Sequence, residues 1–333
     1  MPASFNSNGL ILSFSKIQSG EASKMTKKPI QYAMIDAFTD TAFKGNPAAV
    51  CLLEEKERFD DDEWLQSVAR EFNAPATAFL TRVGAAESED RDSLSGGPSS
   101  RFQLRWFTPV AEIKPCGHGT LAASHFLFTS GLAGTDQIEY LTKAGLLTAK
   151  RVNGFRLLDS ISRPSNHEVD KSFSIELNFP TIAVIECNSM EIPSIPRTLN
   201  GALVIDMMKT THGYAIVVLS SGKAVADVQP QFDELRNCDG NGVIMTGLAE
   251  GGTGFDFITR FFCPKLGINE DHVCGMANCA LAPYWSKKLG KRNLVAYMAS
   301  PRGGRLDLHV EENKERVLIR GKAITIALGS LLV

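Results

Sequence analysis

Two cysteine-bearing segments of the chain follow one template, although 158 positions separate their cysteines. Residues 105–120 read RWFTPVAEIKPCGHGT, and residues 260–279 read RFFCPKLGINEDHVCGMANC. Each contains Arg, an aromatic residue, Phe, any residue and Pro, and then, after a gap, Glu, three residues and Cys-Gly. Chance combined with ordinary turn chemistry is the alternative explanation. So many matches in one order favour an internal duplication.

Both segments are predicted to lie where a strand turns into a helix. The strand patterns cover residues 101–107 and 255–264, and the helical patterns cover residues 119–131 and 277–290. Each helical pattern reaches or ends at a glycine, which commonly terminates helices. A strand–turn–helix unit that occurs twice predicts two homologous α/β-type domains that face one another across a cleft.

Composition excludes several classes of function. The 333 residues suffice for two domains with buried cores, and a net charge of −2 without a basic stripe does not favour nucleic acid binding. The longest apolar runs have the length of strands, so no membrane-spanning segment is predicted. Seven cysteines, an odd number, favour free thiols in a reducing compartment such as the cytoplasm. Their spacing does not favour a metal site.

The first 28 residues differ from the rest of the chain. They are rich in Ser and Lys, with Glu21 as their only acidic residue. A disordered extension, or an upstream start before Met25, is the favoured interpretation. The alternative is a transit peptide for a plastid or mitochondrion, although such peptides are usually rich in Arg. A second polar stretch, residues 85–100, is predicted to be a mobile loop.

Paired cysteine turns predict a particular chemistry. A cysteine just before a helix lies where backbone N–H groups favour an anion, so its pKa is expected to fall toward neutrality. Two such thiols on opposite faces of one carbon can invert a stereocentre, one removing the α-proton and the other returning a proton. This chemistry needs no cofactor, and the sequence contains no nucleotide-binding glycine motif.

Over residues 31 to about 328 the chain resembles the phenazine-biosynthesis isomerase-like superfamily. The similar stretches are IDAFTDTAFKGNPAAV, AREFNAPATAF, RWFTPVAEIKPCGHGTLAASH, FFCPKLGINEDHVCGMANCALAPYW and SPRGGRLDL. The resemblance implies an α+β fold of two pseudo-symmetric domains, each a curved, barrel-like sheet around a central helix, as in diaminopimelate epimerase. It also implies a homodimer and an active site in the cleft between the domains.

This resemblance gives expected domain boundaries. We expect residues 1–28 to be an extension and residues 29–142 to form the N-terminal domain. The C-terminal strand, about 318–333, is expected to complete that domain. Residues 143–317 are then expected to form the C-terminal domain.

The chain departs from the double-bond isomerases of the superfamily at two positions. A glutamate serves as their acid/base in the stretch N-x-S-E-T-x-F, and here Ala76 takes its place. In the stretch E-D-P-x-T-G-S-A, Asp271 is kept but Met276 stands where a substrate-facing serine is expected. Because alanine carries no titratable proton, the phenazine-type reaction is not favoured.

The two cysteine turns resemble those of diaminopimelate epimerase, CGNG and CGSGACA. This resemblance implies that Cys116 and Cys274 are the two acid/base thiols of a racemase or epimerase. The epimerase binds the distal carboxylate with an Arg shortly before its second cysteine, whereas residues 261–274 contain none. An α-amino acid with a free carboxylate and a neutral or apolar side chain is therefore the expected substrate.

Other residues of these motifs are candidate substrate ligands. They are Asn46, Asn73, Gly117, His118, Gly119, Asp271, Gly275 and Met276. Several have an alternative structural explanation: the two asparagines lie in turn-forming stretches, His118 can cap the local backbone, and Asp271 can cap the turn before the second helix.

Two further features have structural explanations. Glu112 and Glu270 recur with Arg105 and Arg260, and ion pairs that shape each turn explain the recurrence most simply. In SPRGGRLDL, residues 300–308, the basic residues could bind an anionic substrate, but a β-turn at the glycines is favoured.

Two alternative functions remain open from the sequence. One is a phenazine-type isomerase that uses His118 and Asp271 as its acid and base. The other is a ligand-binding homologue whose catalytic site has decayed, which Ala76 would allow.

Overall fold

The computed structural model describes residues 29–83, 100–153, 173–186 and 195–333. The predicted extension at residues 1–28, nearly all of the predicted loop at 85–100 and Cys187 lie outside these ranges. Within these ranges, none of the helices is both long and apolar enough to cross a lipid bilayer.

The described residues form a sheet-rich structure with few helices. The strands are β1 (Ile30–Ala37), β2 (Asn46–Leu53), β3 (Ala76–Arg82), β4 (Arg101–Phe107), β5 (Glu112–Ile113), β6 (Gln137–Thr142), β7 (Gly145–Asn153), β8 (Phe173–Pro180), β9 (Val184–Glu186), β10 (Val204–Thr210), β11 (Tyr214–Leu219), β12 (Gly242–Leu248), β13 (Phe257–Cys263), β14 (Ile268–Asp271), β15 (Asn293–Met298), β16 (Gly304–Glu311), β17 (Arg316–Gly321) and β18 (Ala323–Leu331). The helices are α1 (Lys56–Phe59), α2 (Asp62–Phe72), α3 (Gly117–Thr129), α4 (Pro196–Leu199), α5 (Gly222–Ala226), α6 (Phe232–Asn237) and α7 (Gly275–Leu289).

Residues 60–72 begin with aspartates and carry apolar residues at helical spacing, a pattern that predicts a helix, and α2 forms there. The Asp61 side chain accepts a hydrogen bond from the Trp64 N–H, at 3.0 Å, and so caps the first turn. Its apolar residues lie at helical spacing, and Leu65 and Ala69 are fully buried. The helix ends at Asn73, which has a left-handed backbone with φ of 48°.

One continuous ladder of strands runs through the structure, and its two halves pair in the same order. The first half is β18-β1-β2-β3-β4-β6-β7-β8, in which β2–β3 and β4–β6 are parallel. The second half is β9-β10-β11-β12-β13-β15-β16-β17, in which β11–β12 and β13–β15 are parallel. Antiparallel pairing of β8 with β17 joins the two halves.

Each half of the ladder packs against one long helix. Helix α3 packs against β1, β2, β3 and β8, and α7 packs against β15, β16 and β17. The two helices share one hydrophobic core, to which Leu121 of α3 and Leu281 of α7 contribute fully buried side chains. Because α3 is buried on nearly all sides, its hydrophobicity is not confined to one face.

The architecture is a mixed α/β fold, as the sequence predicts at that level. The last strand, β18, pairs with the first, β1, so the two ends of the described chain meet in one ladder. The expected domain boundary at residue 142 falls between β6 and β7, which pair with each other. The detailed division into two domains stays a prediction.

Candidate active site

Both long helices begin immediately after a cysteine of the repeated template. Helix α3 begins at Gly117 and α7 at Gly275, two residues before the predicted starts. Cys116 and Cys274 are therefore the N-cap residues, and both have extended backbones. Each sulfur accepts a backbone N–H from three residues ahead, at 3.4 Å in both turns. The two turns thus have the same local structure.

The N-termini of the two helices meet directly. A Cβ built on Gly117 would lie 3.1 Å from the Cα of Gly275, and a Cβ built on Gly275 would lie 3.3 Å from the Cα of Gly117. Glycine suits this approach, because a side chain on either residue would press on the opposite backbone. The positive ends of two helix dipoles therefore lie together, which favours a bound anion such as a carboxylate.

A buried arginine supports each turn, as the recurring Arg and Glu positions predict. Arg105 donates two hydrogen bonds to Glu112, both at 2.9 Å, and Arg260 donates two to Glu270, at 2.7 and 2.9 Å. The geometry is bidentate in both pairs. Each arginine also donates to a backbone carbonyl of its own half of the ladder. The prediction that these ion pairs shape the turns is confirmed.

Asp271 links residues that are far apart in the sequence. Asn46, the first residue of β2, donates from Nδ2 to Asp271 Oδ1 at 2.6 Å and to the Val273 carbonyl at 3.0 Å. The negative charge of Asp271 acts on both Cys116 and Cys274. The structure therefore brings together the two cysteines, Asn46 and Asp271, as the sequence motifs propose.

The predicted lowering of the thiol pKa values is wrong for the structure in hand. Burial raises the pKa of Cys116 to about 12, and the Gly119 N–H, which favours the thiolate, opposes this only in part. Burial also raises the pKa of Cys274 well above its usual value, with the charge of Asp271 as the next cause. Both thiols lie in the interior, where the cost of desolvating a thiolate outweighs the helix N-terminus.

His118 lies beside the first thiol. Its Nδ1 is 3.6 Å from the Cys116 sulfur, and its side chain is buried. Burial lowers the pKa of His118, and the Asp271 charge opposes this change, whereas His272 adds to it. The imidazole is therefore neutral at neutral pH. It accepts a proton at Nδ1 in the tautomer that carries its hydrogen on Nε2.

Five buried side-chain atoms at the two turns have no hydrogen-bond partner among the described residues. They are Trp106 Nε1 and His118 Nε2 at the first turn, and Asn46 Oδ1, His272 Nδ1 and Asn278 Oδ1 at the second. Buried polar atoms are nearly always paired in proteins, so unpaired ones indicate where a partner is missing. Their clustering beside the two helix N-termini indicates a ligand-binding site.

The remaining candidates have different surroundings. Gly119 lies against Trp106 and Cys116. A Cβ on Gly119 would be 2.8 Å from Trp106 Cδ1 and 3.1 Å from the Cys116 sulfur. Met276 is half-buried and packs against the main core. Asn73 is exposed at the end of α2, which agrees with its turn-forming alternative. Its contact with substrate stays a prediction.

Two aromatic residues near the site were not selected from the sequence. Trp106 occupies the aromatic position of the first template, and its unpaired N–H distinguishes it from its counterpart Phe261. Tyr214 packs edge-on against Phe261, with ring centroids 5.2 Å apart. Burial, followed by the charge of Cys274, raises the pKa of Tyr214 to about 12. Comparison of the two templates could have identified Trp106, because it has an indole N–H where the second copy has Phe261. No sequence pattern indicated Tyr214.

The glycine pair of residues 300–308 forms the predicted β-turn. The Gly303 N–H donates to the Ser300 carbonyl at 3.0 Å, and Gly303 has a left-handed backbone with φ of 69°. Arg302 is held by Asp36, at 2.8 Å. The predicted β-turn is confirmed.

The chain resembles known proteins over nearly its whole length. Residues 35–329 match the phenazine biosynthesis-like protein family, PhzC-PhzF. An uncharacterized isomerase of Halalkalibacterium halodurans is 35% identical over 304 residues, which cover 90% of this chain and 97% of that protein. A phenazine biosynthesis-like domain-containing protein 2 of Mus musculus is 34% identical over 92% of this chain and 99% of its own length.

Solved structures extend the likeness to the fold. The crystal structure of a PhzF family protein from Enterococcus faecalis superimposes with a TM-score of 0.71 at 33% identity, covering 91% of this chain and 99% of that one. A probable proline racemase from Agrobacterium radiobacter has a TM-score of 0.56 at 12% identity, covering 91% of this chain and 92% of that one. At that low identity, the second likeness concerns the fold alone.

Proposed function

The chain belongs to the phenazine biosynthesis-like protein family, whose relatives carry isomerase names, and we propose that it is a cofactor-independent amino-acid racemase or epimerase. The family predicted from the sequence is confirmed. The proposal goes further, assigning the chemistry to Cys116 and Cys274. The observation that carries it is the meeting of two cysteine-capped helix N-termini at Gly117 and Gly275.

The proposed reaction moves two protons at one carbon. The Cys116 thiolate takes the α-proton of the substrate, and the electron pair passes into the carboxylate as an enolate-like intermediate. The Cys274 thiol gives its proton to the opposite face of the carbon. The substrate leaves inverted, with Cys116 as the thiol and Cys274 as the thiolate. Exchange with solvent returns both groups to their starting states.

The site must first make a thiolate from a buried thiol. Because burial raises the pKa of Cys116 to about 12, bulk water alone leaves it protonated at neutral pH. The neutral imidazole of His118 is 3.6 Å from the sulfur and can take the thiol proton at Nδ1. The Asp271 charge favours the imidazolium that results. Thiolate and imidazolium then form as an ion pair inside the site.

The polar groups suit an α-amino acid. Backbone N–H groups at the two helix N-termini suit the carboxylate, on which negative charge builds in the intermediate. Asn46 Oδ1 and the Asp271 carboxylate are acceptors suited to an α-ammonium group. The sequence between the template arginine and Cys274 offers no second arginine for a distal carboxylate. A neutral or apolar side chain therefore suits the proposal best.

The raised pKa values of Cys116 and Cys274 also support a second candidate function. If the two thiols stay protonated, His118 and Asp271 are the remaining acid and base of the site, as in a phenazine-type isomerase. Ala76, buried at the start of β3, argues against this candidate because it has no titratable proton.

A panel of L- and D-amino acids in deuterated water tests the proposal. We expect a mass gain of one deuterium at Cα together with inversion, under reducing conditions that keep the thiols free. Exchange that survives thiol alkylation would favour the isomerase that uses His118 and Asp271. Binding of amino acids without any exchange would favour a decayed, ligand-binding homologue.

We further propose the assembly that the family resemblance implies. In it, two pseudo-symmetric domains, residues 29–142 with the C-terminal strand and residues 143–317, enclose the site, and the protein forms a homodimer. The cytoplasm is the proposed compartment, with a plastid or mitochondrion as the alternative if residues 1–28 direct import.

A further inference from the structure

The two cysteine turns differ in one buried hydrogen-bond donor. At the aromatic position of the template, the first turn has Trp106 and the second has Phe261. Trp106 is 1% exposed, and its Nε1–H has no partner within the described ranges of the chain. Leaving a buried donor unpaired destabilises the folded protein, so its presence here needs an explanation.

The Cys116 sulfur lies near this donor. A Cβ built on Gly119 would lie 3.1 Å from Cys116 Sγ and 3.4 Å from Trp106 Nε1, so the two atoms flank the same point. A protonated thiol is a weak acceptor, whereas a thiolate is a strong one. A thiolate at Cys116 would therefore offer this indole N–H a stronger acceptor than the thiol does.

We propose that the Trp106 indole N–H is the hydrogen-bond donor that stabilises the Cys116 thiolate and so makes Cys116, rather than Cys274, the base of the resting site. This inference rests on the two-cysteine function proposed above. Trp106 acts through Cys116 and is a positioning residue. One enantiomer, whose α-proton faces Cys116, is then the preferred substrate of the resting enzyme.

The charged and titratable groups around the two sulfurs agree with this assignment. Cys116 is faced by His118, which accepts its proton, by the Gly119 N–H and by Asp271. Cys274 is faced by the Ala277 N–H, by Asp271, which also hydrogen-bonds to it, by the Cys263 thiol and by the Tyr214 phenol. Two groups that favour a thiolate thus contact the first sulfur, His118 and the Gly119 N–H, and one, the Ala277 N–H, contacts the second.

The test is the rate of cysteine alkylation in Trp106→Phe at a fixed, mildly alkaline pH. Iodoacetamide modification of Cys116 and Cys274 is followed separately by peptide mass spectrometry, which reads the thiolates without turnover. We expect Cys116 to react roughly tenfold more slowly than in the unmodified protein, with Cys274 unchanged. An unchanged Cys116 rate overturns the proposal, whether or not the protein racemises amino acids.

Trp285→Phe is the matched control. Trp285 is also buried, but its Nε1 donates to Thr246 Oγ1 at 3.0 Å, away from the sulfurs. The same substitution there should leave the Cys116 alkylation rate unchanged. An equal fall in rate in both variants would mean that indole removal acts through a general change in packing, and would overturn the proposal.

A measurement on the unmodified protein covers the case in which Trp106→Phe does not fold. The indole N–H resonance of Trp106 should move downfield as pH rises through the Cys116 titration, and Cys116→Ser should abolish that movement. A resonance that stays fixed through the titration contradicts the proposal.

Discussion

Gly117 and Gly275 face each other so closely that a Cβ on Gly117 would lie 3.1 Å from the Cα of Gly275. This contact joins residues 158 positions apart and fixes the separation of the two helix N-termini. The cysteines that precede the two glycines are held by the same contact. Packing of the backbone, rather than any side-chain bond, therefore sets the geometry between the two thiols.

Replacing Gly117 by Ala should push the two helices apart. The new methyl group presses on backbone, which cannot yield as the end of a flexible side chain can. We expect a loss of about 1–3 kcal/mol in the free energy of unfolding, typical of overpacking. Urea denaturation measures this loss. Activity should fall further than stability alone explains, because the thiols move with their helices.

Gly251→Ala is the control for this substitution. A Cβ at Gly251 would meet nothing within 4 Å, and its backbone is not left-handed. We expect unfolding and activity to stay within error of the unmodified protein. Equal stability of the two variants would show that the helix junction tolerates a side chain.

Glu112→Gln should reduce stability in a pH-dependent way. Burial raises the pKa of Glu112, but hydrogen bonds from Arg105 and Lys143 lower it more, so the net shift is below 4.5. The stabilisation is therefore complete above pH 4.5 and is lost as pH falls through the lowered pKa. We expect a deficit of roughly 1–3 kcal/mol at pH 7 that shrinks below pH 4.5, measured by urea unfolding.

The exposed ion pair between Arg197 and Asp233 supplies the control. Both side chains are more than half exposed, so solvent screens the pair and Asp233→Asn should change stability much less than Glu112→Gln does. A Glu112→Gln deficit that does not shrink in acid would indicate a packing defect rather than a lost ion pair.

Much of the site was predictable because the chain contains the same template twice. The recurring Arg–Glu pairs, the strand-to-helix turns and the pairing of Cys116 with Cys274 all follow from comparing the two segments. The predicted helix starts were two residues too late, because the glycines after each cysteine were assigned to the turn. The recurrence of the Arg–Glu pairs and of the cysteines needs both copies of the template, whereas each strand-to-helix turn can also be predicted from one copy.

Burial was the quantity that the sequence could not supply. The sequence shows that each cysteine precedes a helix, and for that reason the thiol pKa was expected to fall. The sequence does not show how deeply the two turns are buried. Likewise, the hydrogen bond from Asn46 to Asp271 joins residues 225 positions apart, and only the three-dimensional fold brings them together. Local chemistry was predictable, whereas desolvation and long-range contact were not.

Asp271→Asn should make the Cys274 thiol more reactive. The Asp271 charge raises the pKa of Cys274, so neutralising it lowers that value. Alkylation of Cys274 at a fixed neutral pH should become faster, whereas the gain at Cys116 is offset because the same charge favours the His118 imidazolium that receives the Cys116 proton. Racemase activity should fall in the same variant, because an acceptor suited to the substrate ammonium group is lost.

Asp307→Asn is the matched control for charge. Asp307 pairs with Arg305 on its own strand, at 2.9 Å, and does not contribute to either thiol pKa. Its removal should leave the alkylation rates unchanged. A Cys274 alkylation rate in Asp271→Asn equal to that of the unmodified protein would show that its charge does not reach this sulfur.

Serine variants of the two cysteines test the reaction most directly. A serine hydroxyl is a far weaker base and acid than a thiol, so Cys116→Ser and Cys274→Ser should each lower the rate of inversion by about 10²–10⁴-fold. Each variant keeps the N-cap hydrogen bond, because serine is a good cap, and should therefore stay folded. Thermal unfolding checks this, and deuterium incorporation at Cα measures the reaction. Cys279→Ala, a buried cysteine one turn further along α7, should keep its activity. A Cys116→Ser/Cys274→Ser double variant that inverts amino acids at the unmodified rate would contradict the two-thiol mechanism and would transfer the chemistry to His118 and Asp271.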